Sequence, residues 1–346
     1  MFFASDNAGM AHPQVMNHVI AANEGYFASY GGEPIMNDVR ARLRDVFDAP
    51  DAVVYLVATG TAANALALAC YTQPWHTVFC SPVAHIHEDE CNAPEFYTSG
   101  AKLTLVPGSD KMTPAALRAS ILAENNRGVH GPQRGPVSIT QVTERGNIYS
   151  LAELRGLTAV AKEFGLPVHL DGARFANALV SLGCSAADMT WKSGIDVVSF
   201  GGTKNGCMGV EAVVFFDPAK AWEFELRRKR AAHLFSKHRF LSAQMQGYLK
   251  DDLWLETARL ANARCAYLAE GLRTRGAELL NQPEANMIYA RFPRAVHQRA
   301  QAAGATYNMS DGPVETGPGE EMLTARLVCD WAITEAHIDA FLAHFD

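Results

Sequence analysis

Short apolar runs alternate with helix-forming segments over much of the chain. Seven runs have the length and composition of β-strands, at residues 53–57, 77–80, 102–106, 137–142, 167–170, 197–200 and 212–216. Most of them are too apolar to have a face suited to water. Strands buried on both faces are typical of mostly parallel sheets covered by helices. The pattern therefore predicts an α/β fold.

The helices between these strands have clear start signals. Thr113 followed by Pro114 opens a helix that runs to Glu124. Ser150 and Glu153 have the spacing of a capping box, which opens a helix that stops at Gly165. The alternation is therefore supported by capping chemistry as well as by hydrophobicity.

The pattern changes at about position 227, where helix-forming sequence continues to about position 276. Strand-like and helix-like segments then alternate again, with strands at 287–291 and 323–329 and helices at 295–303 and 335–345. This arrangement predicts a second, smaller α/β domain. We place the large domain, including the N-terminal segment, at residues 1–246 and the small C-terminal domain at residues 247–346.

Composition excludes several classes of function. The chain has 346 residues, 48% of them hydrophobic, which is enough for a large core and for two domains. Its 30 basic and 37 acidic residues give a net charge of -7, so we predict no nucleic-acid partner. The basic residues cluster once, at positions 227–230, where a solvated helix face is the simplest interpretation.

Membrane insertion and export are not expected either. The uncharged stretch 53–71 approaches the length of a membrane span, but polar residues and a glycine interrupt it, which favours a strand, a turn and a helix starting near Ala62. The N-terminus lacks a positively charged leader and the apolar core of a signal peptide. Seven scattered cysteines without a C-x-x-C pair are typical of a reducing compartment. We therefore predict a cytoplasmic protein.

Polar residues follow three of the strands directly, at the position where open α/β sheets bind ligands. The Thr-Gly-Thr sequence at 59–61 can form a phosphate-binding turn ahead of a helix, or an ordinary βα turn. Asp171 follows the strand at 167–170, where it could equally cap a helix. Lys204 lies in a glycine-rich loop after the strand at 197–200, although a lone lysine is usually a surface residue.

The combination of these three features matches the requirements of pyridoxal phosphate. This cofactor needs a lysine that forms a Schiff base, an anchored phosphate, and an acid that keeps the pyridine nitrogen protonated. A carboxylate beside that nitrogen stabilises its proton by charge attraction. We therefore predict a pyridoxal-phosphate site in which Lys204 holds the cofactor and Asp171 faces the ring nitrogen.

At these positions the sequence resembles the L-threonine aldolases of fold type I, especially the low-specificity and phenylserine-type members. The resemblance extends over nearly the whole chain. It is carried by the sequences at 5–7, 30–34, 59–64, 171–174 and 199–206, by His85 with Glu90, and by Arg326. It implies the pyridoxal-phosphate-dependent transferase fold, with a mostly parallel seven-stranded sheet in a large domain and a smaller C-terminal α/β domain.

The resemblance also implies which residues contact the cofactor. In addition to Lys204 and Asp171, His85 is expected to stack on the ring, and Arg174 is expected to contact the ring oxygen or the substrate carboxylate. The remaining cofactor-binding candidates are the residues expected near the phosphate, which are Thr59, Gly60, Thr61 and Thr203. The substrate-binding candidates are Ser5, Tyr30, Arg174 and Arg326, because arginine matches the fork of a carboxylate.

The implied reaction is retro-aldol cleavage of an L-β-hydroxy-α-amino acid, such as L-threonine, L-allo-threonine or phenylserine, to glycine and an aldehyde. His85 is the first candidate for the base, and Glu144 is the second. Glu144 is a candidate because Thr143 and Glu144 stand where other members have a histidine near the substrate. Ala62 also departs from the pattern, since many relatives have glutamine there. Both departures bear on side-chain specificity.

The sequence is also compatible with other functions. Within enzymes, the same scaffold suits β-elimination or a reaction like that of glycine hydroxymethyltransferase. From another class, the chain could be a non-catalytic protein that binds pyridoxal phosphate or a metal, because the sequence at 85–90 offers imidazoles and carboxylates. The resemblance implies a homodimer or homotetramer with shared sites, in which residues 227–230 and Lys237 approach the neighbouring subunit's phosphate.

Overall fold

A large, twisted sheet forms the centre of the molecule in the computed structural model, which describes residues 1–345. Its strands are β1 (Val53–Val57), β2 (His76–Cys80), β3 (Lys102–Leu105), β4 (Gln133–Thr140), β5 (Val168–Gly172), β6 (Val197–Gly201) and β7 (Glu211–Phe215). Their spatial order is β1-β7-β6-β5-β4-β2-β3, and β7 alone runs antiparallel to its neighbours. The predicted mostly parallel seven-stranded sheet is confirmed.

Helices cover both faces of this sheet and extend into the C-terminal part. They are α1 (Pro13–Ala21), α2 (Pro34–Val46), α3 (Gly60–Ala69), α4 (His85–Glu88), α5 (Ala93–Tyr97), α6 (Pro114–Ala123), α7 (Leu151–Glu163), α8 (Phe175–Leu182), α9 (Ala186–Met189), α10 (Ala221–Arg230), α11 (Arg239–Leu249), α12 (Leu253–Thr274), α13 (Arg294–Ala302) and α14 (Glu335–Leu342). The predicted starts of α6 and α7 are confirmed, since Thr113 caps α6 and Ser150 forms a capping box with Glu153.

The helix-forming sequence predicted from about 227 to 276 forms parts of three helices, α10, α11 and α12. Between α11 and α12, Asp251 and Asp252 both have left-handed backbone conformations with φ of 54°. A left-handed residue cannot continue a right-handed helix, and aspartate is one of the few side chains that tolerate it. The chain therefore turns sharply at these two residues.

A second sheet lies in the C-terminal part of the chain. It consists of β8 (Glu278–Leu279), β9 (Met287–Pro293), β10 (Asn308–Met309) and β11 (Met322–Val328), in the antiparallel order β10-β11-β9-β8. The N-terminus joins this unit, because Phe3 is fully buried in its core and accepts a hydrogen bond from the Val328 N–H at 2.8 Å.

Helix α12 contributes to both hydrophobic cores. Trp254 and Ala258 pack in the core of the large sheet, whereas Cys265 and Leu268 pack in the core of the second sheet. The domain limits at 246 and 247 stay a prediction. Within residues 1–345, no helix has both the length and the apolar character that a membrane crossing requires.

Candidate active site

The carboxyl ends of β1, β5 and β6 meet at one edge of the large sheet. Helix α3 begins directly after β1, Asp171 is near the end of β5, and Lys204 lies in the one-turn 3-10 helix Thr203–Asn205 after β6. Asp171 is 2% exposed. The three features that the sequence placed at strand ends are therefore brought to the same edge.

A cavity of about 340 Å³ opens at this edge, between the large sheet and the second sheet. Six of the residues predicted to act in the site line it: Ser5, His85, Glu144, Arg174, Lys204 and Arg326. They come from six distant parts of the sequence. Asn7, Glu88, Asp89, Arg145 and Tyr289 complete the wall and were not predicted.

A chain of hydrogen bonds connects His85 to Asp171. His85 Nδ1 lies 2.9 Å from Glu90 Oε1, and Asn64 Nδ2 donates to Glu90 Oε1 and to Asp171 Oδ2, both at 3.0 Å. The hydrogen bond to Glu90 raises the pKa of His85 against the effect of burial, and the Asp171 and Glu144 charges add to the rise. Burial raises the pKa of Glu90 as well. Asn64 lies four residues after Gly60 in α3 and therefore on the same face of the helix. This spacing is the sequence signal that could have identified Asn64 as a site residue.

Arg174 is held by a buried ion pair that the sequence did not reveal. Its Nε and Nη2 atoms donate to the two carboxylate oxygens of Asp6 at 2.7 and 2.9 Å, and Asn286 Nδ2 donates to Asp6 Oδ2 at 3.0 Å. Burial alone would raise the pKa of Asp6, but the Arg174 and Lys204 charges and these hydrogen bonds hold it below its ordinary value. Burial likewise opposes the charge of Arg174, yet Asp6 and Glu144 keep its pKa above the ordinary value.

The start of α3 has the shape of an anion-binding site. Thr59 caps the helix by accepting the Ala62 N–H at 3.2 Å, and the first N–H groups of a helix have no intrahelical acceptor. A Cβ added to Gly60 would meet no atom within 4 Å, so there is open space in front of the helix. A phosphate fits this turn.

Pyridoxal phosphate as a whole fits the residues that meet here. A buried carboxylate, a lysine on a short loop and an open helix N-terminus are the donor set that the cofactor needs. Asp171 does not cap α8, whose N-cap residue is Arg174. The interpretation of Asp171 as a helix cap is therefore wrong.

Besides Asp171 and the turn at 59–61, which lie next to the cavity without lining it, Tyr30 and Thr203 also do not line it within one chain. Tyr30 is 46% exposed, does not line the cavity, and lies under Lys229, whose Nζ is 4.8 Å from the ring centre. Thr203 accepts the Val210 N–H at 3.2 Å beneath the lysine loop. The roles of both residues stay predictions.

The basic run at 227–230 is not simply a solvated helix face, and that interpretation is wrong for one of its members. Arg228 is 2% exposed, donates to the Leu56 carbonyl at 3.0 Å and pairs with Glu225. The burial follows from the position of α10, whose inner face packs against the large sheet.

The predicted alternative of a metal site at 85–90 has no geometric support. Residues His85–Glu88 form the single helical turn α4, in which His85 lines the cavity while His87 is exposed. Among the residues that the structure describes, no group of three or more His, Cys, Asp or Glu side chains is arranged to hold a metal ion.

Comparison with known proteins identifies the family. The sequence profile of the beta-eliminating lyases matches residues 3–293, which is most of the chain. The chain belongs to the beta-eliminating lyase family. Family membership makes it a pyridoxal-phosphate-dependent lyase, so the predictions of the cofactor and of an enzyme are confirmed.

Two relatives are similar over nearly the full length of the chain. The low-specificity L-threonine aldolase of Pseudomonas aeruginosa is 40% identical over 95% of this chain and 92% of its own. The structure of a threonine aldolase from Leishmania major has a TM-score of 0.91 at 25% identity, covering 99% of this chain and 98% of its own.

A more distant structure supports the fold assignment alone. A serine palmitoyltransferase variant from S. paucimobilis with a bound PLP–myriocin aldimine has a TM-score of 0.71 at 19% identity, covering 100% of this chain and 86% of its own. The predicted fold type I and the predicted resemblance to threonine aldolases are confirmed.

Proposed function

We propose that this beta-eliminating lyase family member is an aldolase that cleaves L-β-hydroxy-α-amino acids, of the threonine, allo-threonine and phenylserine type, to glycine and an aldehyde. The observation that carries the proposal is the convergence of Lys204, His85 and Arg326 on one cavity beside the buried Asp171. The 40% identity with an enzyme named as a low-specificity L-threonine aldolase supports the same reaction.

In this proposal the cofactor is held from three sides. Lys204 would bind it through the side-chain amine, Asp171 would face the ring nitrogen, and His85 would stack on the ring. The N–H groups at the start of α3, around residues 59–61, would bind the phosphate, with Thr203 nearby. Pyridoxal phosphate, when bound, supplies an electron sink for the breakage of a bond at the amino-acid α-carbon.

Ser5 and Arg326 would orient the substrate by its carboxylate. Arg326 donates to the Ala4 carbonyl at 3.3 Å, which directs its guanidinium towards the N-terminal segment and the cavity. Arg174 would add a second cation, and Asp6 fixes two of its N–H groups. A carboxylate bound in this way holds the α-carbon in a single orientation.

His85 would act as the base in the bond-breaking step, with Glu144 as the second candidate. The base takes the proton of the β-hydroxyl group, the bond between Cα and Cβ breaks, and the aldehyde leaves. A proton then returns to Cα to give glycine. Glu90 supports this role because its carboxylate holds the imidazole at 2.9 Å and stabilises the proton that His85 receives.

Substitution of Lys204 tests the proposed function. Wild-type protein supplemented with pyridoxal phosphate is expected to show a visible absorbance band and to release aldehyde and glycine from L-threonine or phenylserine. In Lys204→Ala, we expect the band to disappear and cleavage to fall at least about 1000-fold, because the amine that holds the cofactor is lost.

The products distinguish the alternatives. Aldehyde release without ammonia and without added folate supports the aldolase. Release of ammonia would favour β-elimination, and a requirement for tetrahydrofolate would favour a glycine hydroxymethyltransferase-like reaction. A folded wild-type protein without any visible band after supplementation would contradict the proposal.

We also propose that the protein assembles into a homodimer or homotetramer and that it acts in the cytoplasm. Phe96 is 76%, Trp222 70% and Leu226 53% exposed, and Trp222 and Leu226 lie on one face of α10. Tyr30 lies outside the cavity of its own chain, which is consistent with a role at a subunit boundary. All seven cysteines are free, which suits a reducing compartment.

A further inference from the structure

A buried glutamate lies beneath the lysine loop. Glu211 is the first residue of β7, and the strand register places it opposite Val57 of β1 on one side and Gly201 of β6 on the other. Val57 leads into the turn at 59–61, and Gly201 leads into the loop that carries Lys204. The carboxyl group of Glu211 therefore lies between the two segments that would hold the cofactor.

The Glu211 carboxyl group holds the backbone of the loop that precedes Lys204. Its Oε2 atom accepts the Gly202 N–H at 2.8 Å, and the Thr203 hydroxyl beside it acts to lower the pKa of the carboxyl group. The Thr203 hydroxyl oxygen in turn accepts the Val210 N–H at 3.2 Å. These contacts fix the backbone and the side-chain direction of the loop immediately before the lysine.

Burial of a charged carboxylate at this position carries a free-energy penalty. The oxygen of a neutral amide side chain could accept the same Gly202 N–H without that penalty. Glu211 is 6% exposed, and burial raises its pKa to about 7, although the hydrogen bonds and the Lys204 charge act in the opposite direction. Above about pH 7 the carboxyl group is ionised, and it then places a negative charge in the neighbourhood of Lys204.

The other ionisable groups that face Glu211 do not supply a cation. Asp171 contributes a negative charge that raises the Glu211 pKa further. Cys207 and Tyr248 also face it, and burial raises the pKa of both far enough to keep them neutral. Among the ionisable groups near Glu211, Lys204 is therefore the cation whose charge lowers the Glu211 pKa.

We propose that Glu211 is a positioning residue for Lys204, which anchors the loop at Gly202 and Thr203 and stabilises positive charge on the lysine nitrogen. The inference rests on the proposed function, in which Lys204 holds the cofactor. Glu211 itself touches neither substrate nor cofactor in this scheme. Its effect on the reaction passes through the lysine.

The test is a pH titration of the visible band of the cofactor-loaded protein. Glu211→Gln retains an acceptor for the Gly202 N–H and removes the charge. We expect the midpoint of the titration to move down by about one pH unit, because an opposite charge nearby typically shifts a proton equilibrium by that much. We also expect kcat to fall about tenfold with KM nearly unchanged, since substrate contacts are intact.

Two further variants separate charge from packing. Glu211→Asp retains the charge and is expected to restore most of the wild-type titration. Asp196→Asn is the matched control, because Asp196 accepts the Val168 N–H at 2.7 Å at the opposite edge of the same sheet. We expect its titration to match that of the wild type.

The outcomes distinguish the inference from the proposed function. Absence of a visible band in the wild type would contradict the proposed function. A normal wild-type band with superimposable Glu211→Gln and wild-type titrations would overturn the inference alone. If Glu211→Gln does not fold, the smaller Glu211→Ala replaces it, and a downward shift of similar size is expected; an unshifted midpoint in Glu211→Ala would overturn the inference.

Discussion

At the scale of single residues, the environment of His85 links its protonation to its proposed role. The hydrogen bond to Glu90 is the main reason why the pKa of His85 lies above its ordinary value. A base must be neutral before it can accept a proton, so activity should rise as the pH rises through this elevated value. Glu90 is buried between His85 and Asn64 and is therefore part of the site, although its role is indirect.

Substitution of Glu90 by glutamine should move the pH profile. Because the Glu90→Gln change removes the carboxylate that raises the His85 pKa, the acid limb of the kcat profile is expected to shift to lower pH by about one unit. His85→Asn should lower kcat by about 10²–10⁴-fold, the usual contribution of a general base. Both effects are measured as initial rates of aldehyde release across a pH series.

His87 provides the control for this experiment. It lies on the same helical turn but is exposed, so His87→Asn should retain the wild-type profile. An ordered His85→Asn protein that cleaves at the full rate would exclude His85 as the base and leave Glu144 as the candidate. An acid limb that does not move in Glu90→Gln would contradict the link between Glu90 and His85.

At the scale of secondary-structure elements, the proposed ligand contacts come mainly from the junctions that follow strands of the large sheet. β1 passes into α3, β5 into α8 and β6 into the lysine loop, and each junction presents polar groups at the same edge of the sheet. The hydrophobic strands fix these positions because every residue of β5, β6 and β7 is buried. A small change at a junction should therefore affect ligand binding with little effect on the sheet.

Gly60→Ala tests the junction between β1 and α3. A methyl group at this position meets no protein atom within 4 Å, and alanine favours helix over glycine by up to about 1 kcal/mol, so the cofactor-free protein should be at least as stable as wild type. The same methyl group would occupy the space proposed for the phosphate. We expect affinity for pyridoxal phosphate to fall at least about tenfold, for a loss of about 1.4 kcal/mol.

The control for this variant is Gly319→Ala. An added Cβ there makes an ordinary contact of 3.5 Å with Ala295, in the C-terminal part of the chain and away from the cavity. Thermal unfolding without cofactor and absorbance titration with pyridoxal phosphate are measured for both variants. Unchanged affinity in Gly60→Ala would mean that the phosphate binds elsewhere.

At the scale of the whole molecule, two hydrophobic cores are joined by α12 and by the N-terminal segment. Phe3 is buried in the smaller core, while Asp6, three residues later, pairs with Arg174 beside the large sheet. The cavity lies between these units, with Ser5 and Arg326 on one side and Lys204 on the other. Opening of this junction would therefore separate the proposed substrate contacts from the proposed cofactor lysine.

Leu226→Asp tests the proposed assembly. Leu226 is exposed on α10 beside Phe96, and a buried, unpaired charge at a subunit interface typically costs about 2–5 kcal/mol. We expect light scattering to show a smaller species than the wild type at the same concentration, together with weaker cofactor binding. Val129→Asp is the control, because Val129 is 94% exposed in the separate short 3-10 helix Gly128–His130. If both variants keep the wild-type mass, α10 does not lie in an interface.

The sequence by itself determined the fold class and the central chemistry of this protein. Apolar runs without a polar face require a sheet covered on both sides, and capping residues define where α6 and α7 begin. Because the carboxyl ends of parallel strands share one edge, Asp171 and Lys204 could be placed together without any coordinates. These features depend on local patterns and on one general rule of sheet geometry.

The tertiary structure decided the contacts that depend on pairing between distant segments. Asp6 with Arg174 and Glu211 with the lysine loop carry no local sequence signal, because each follows from which segments the fold places side by side. The burial of Arg228 and the helical turn at His85 were likewise set by packing rather than by local pattern. Local sequence thus indicated the proposed reactive groups, and long-range packing determined the residues that contact them.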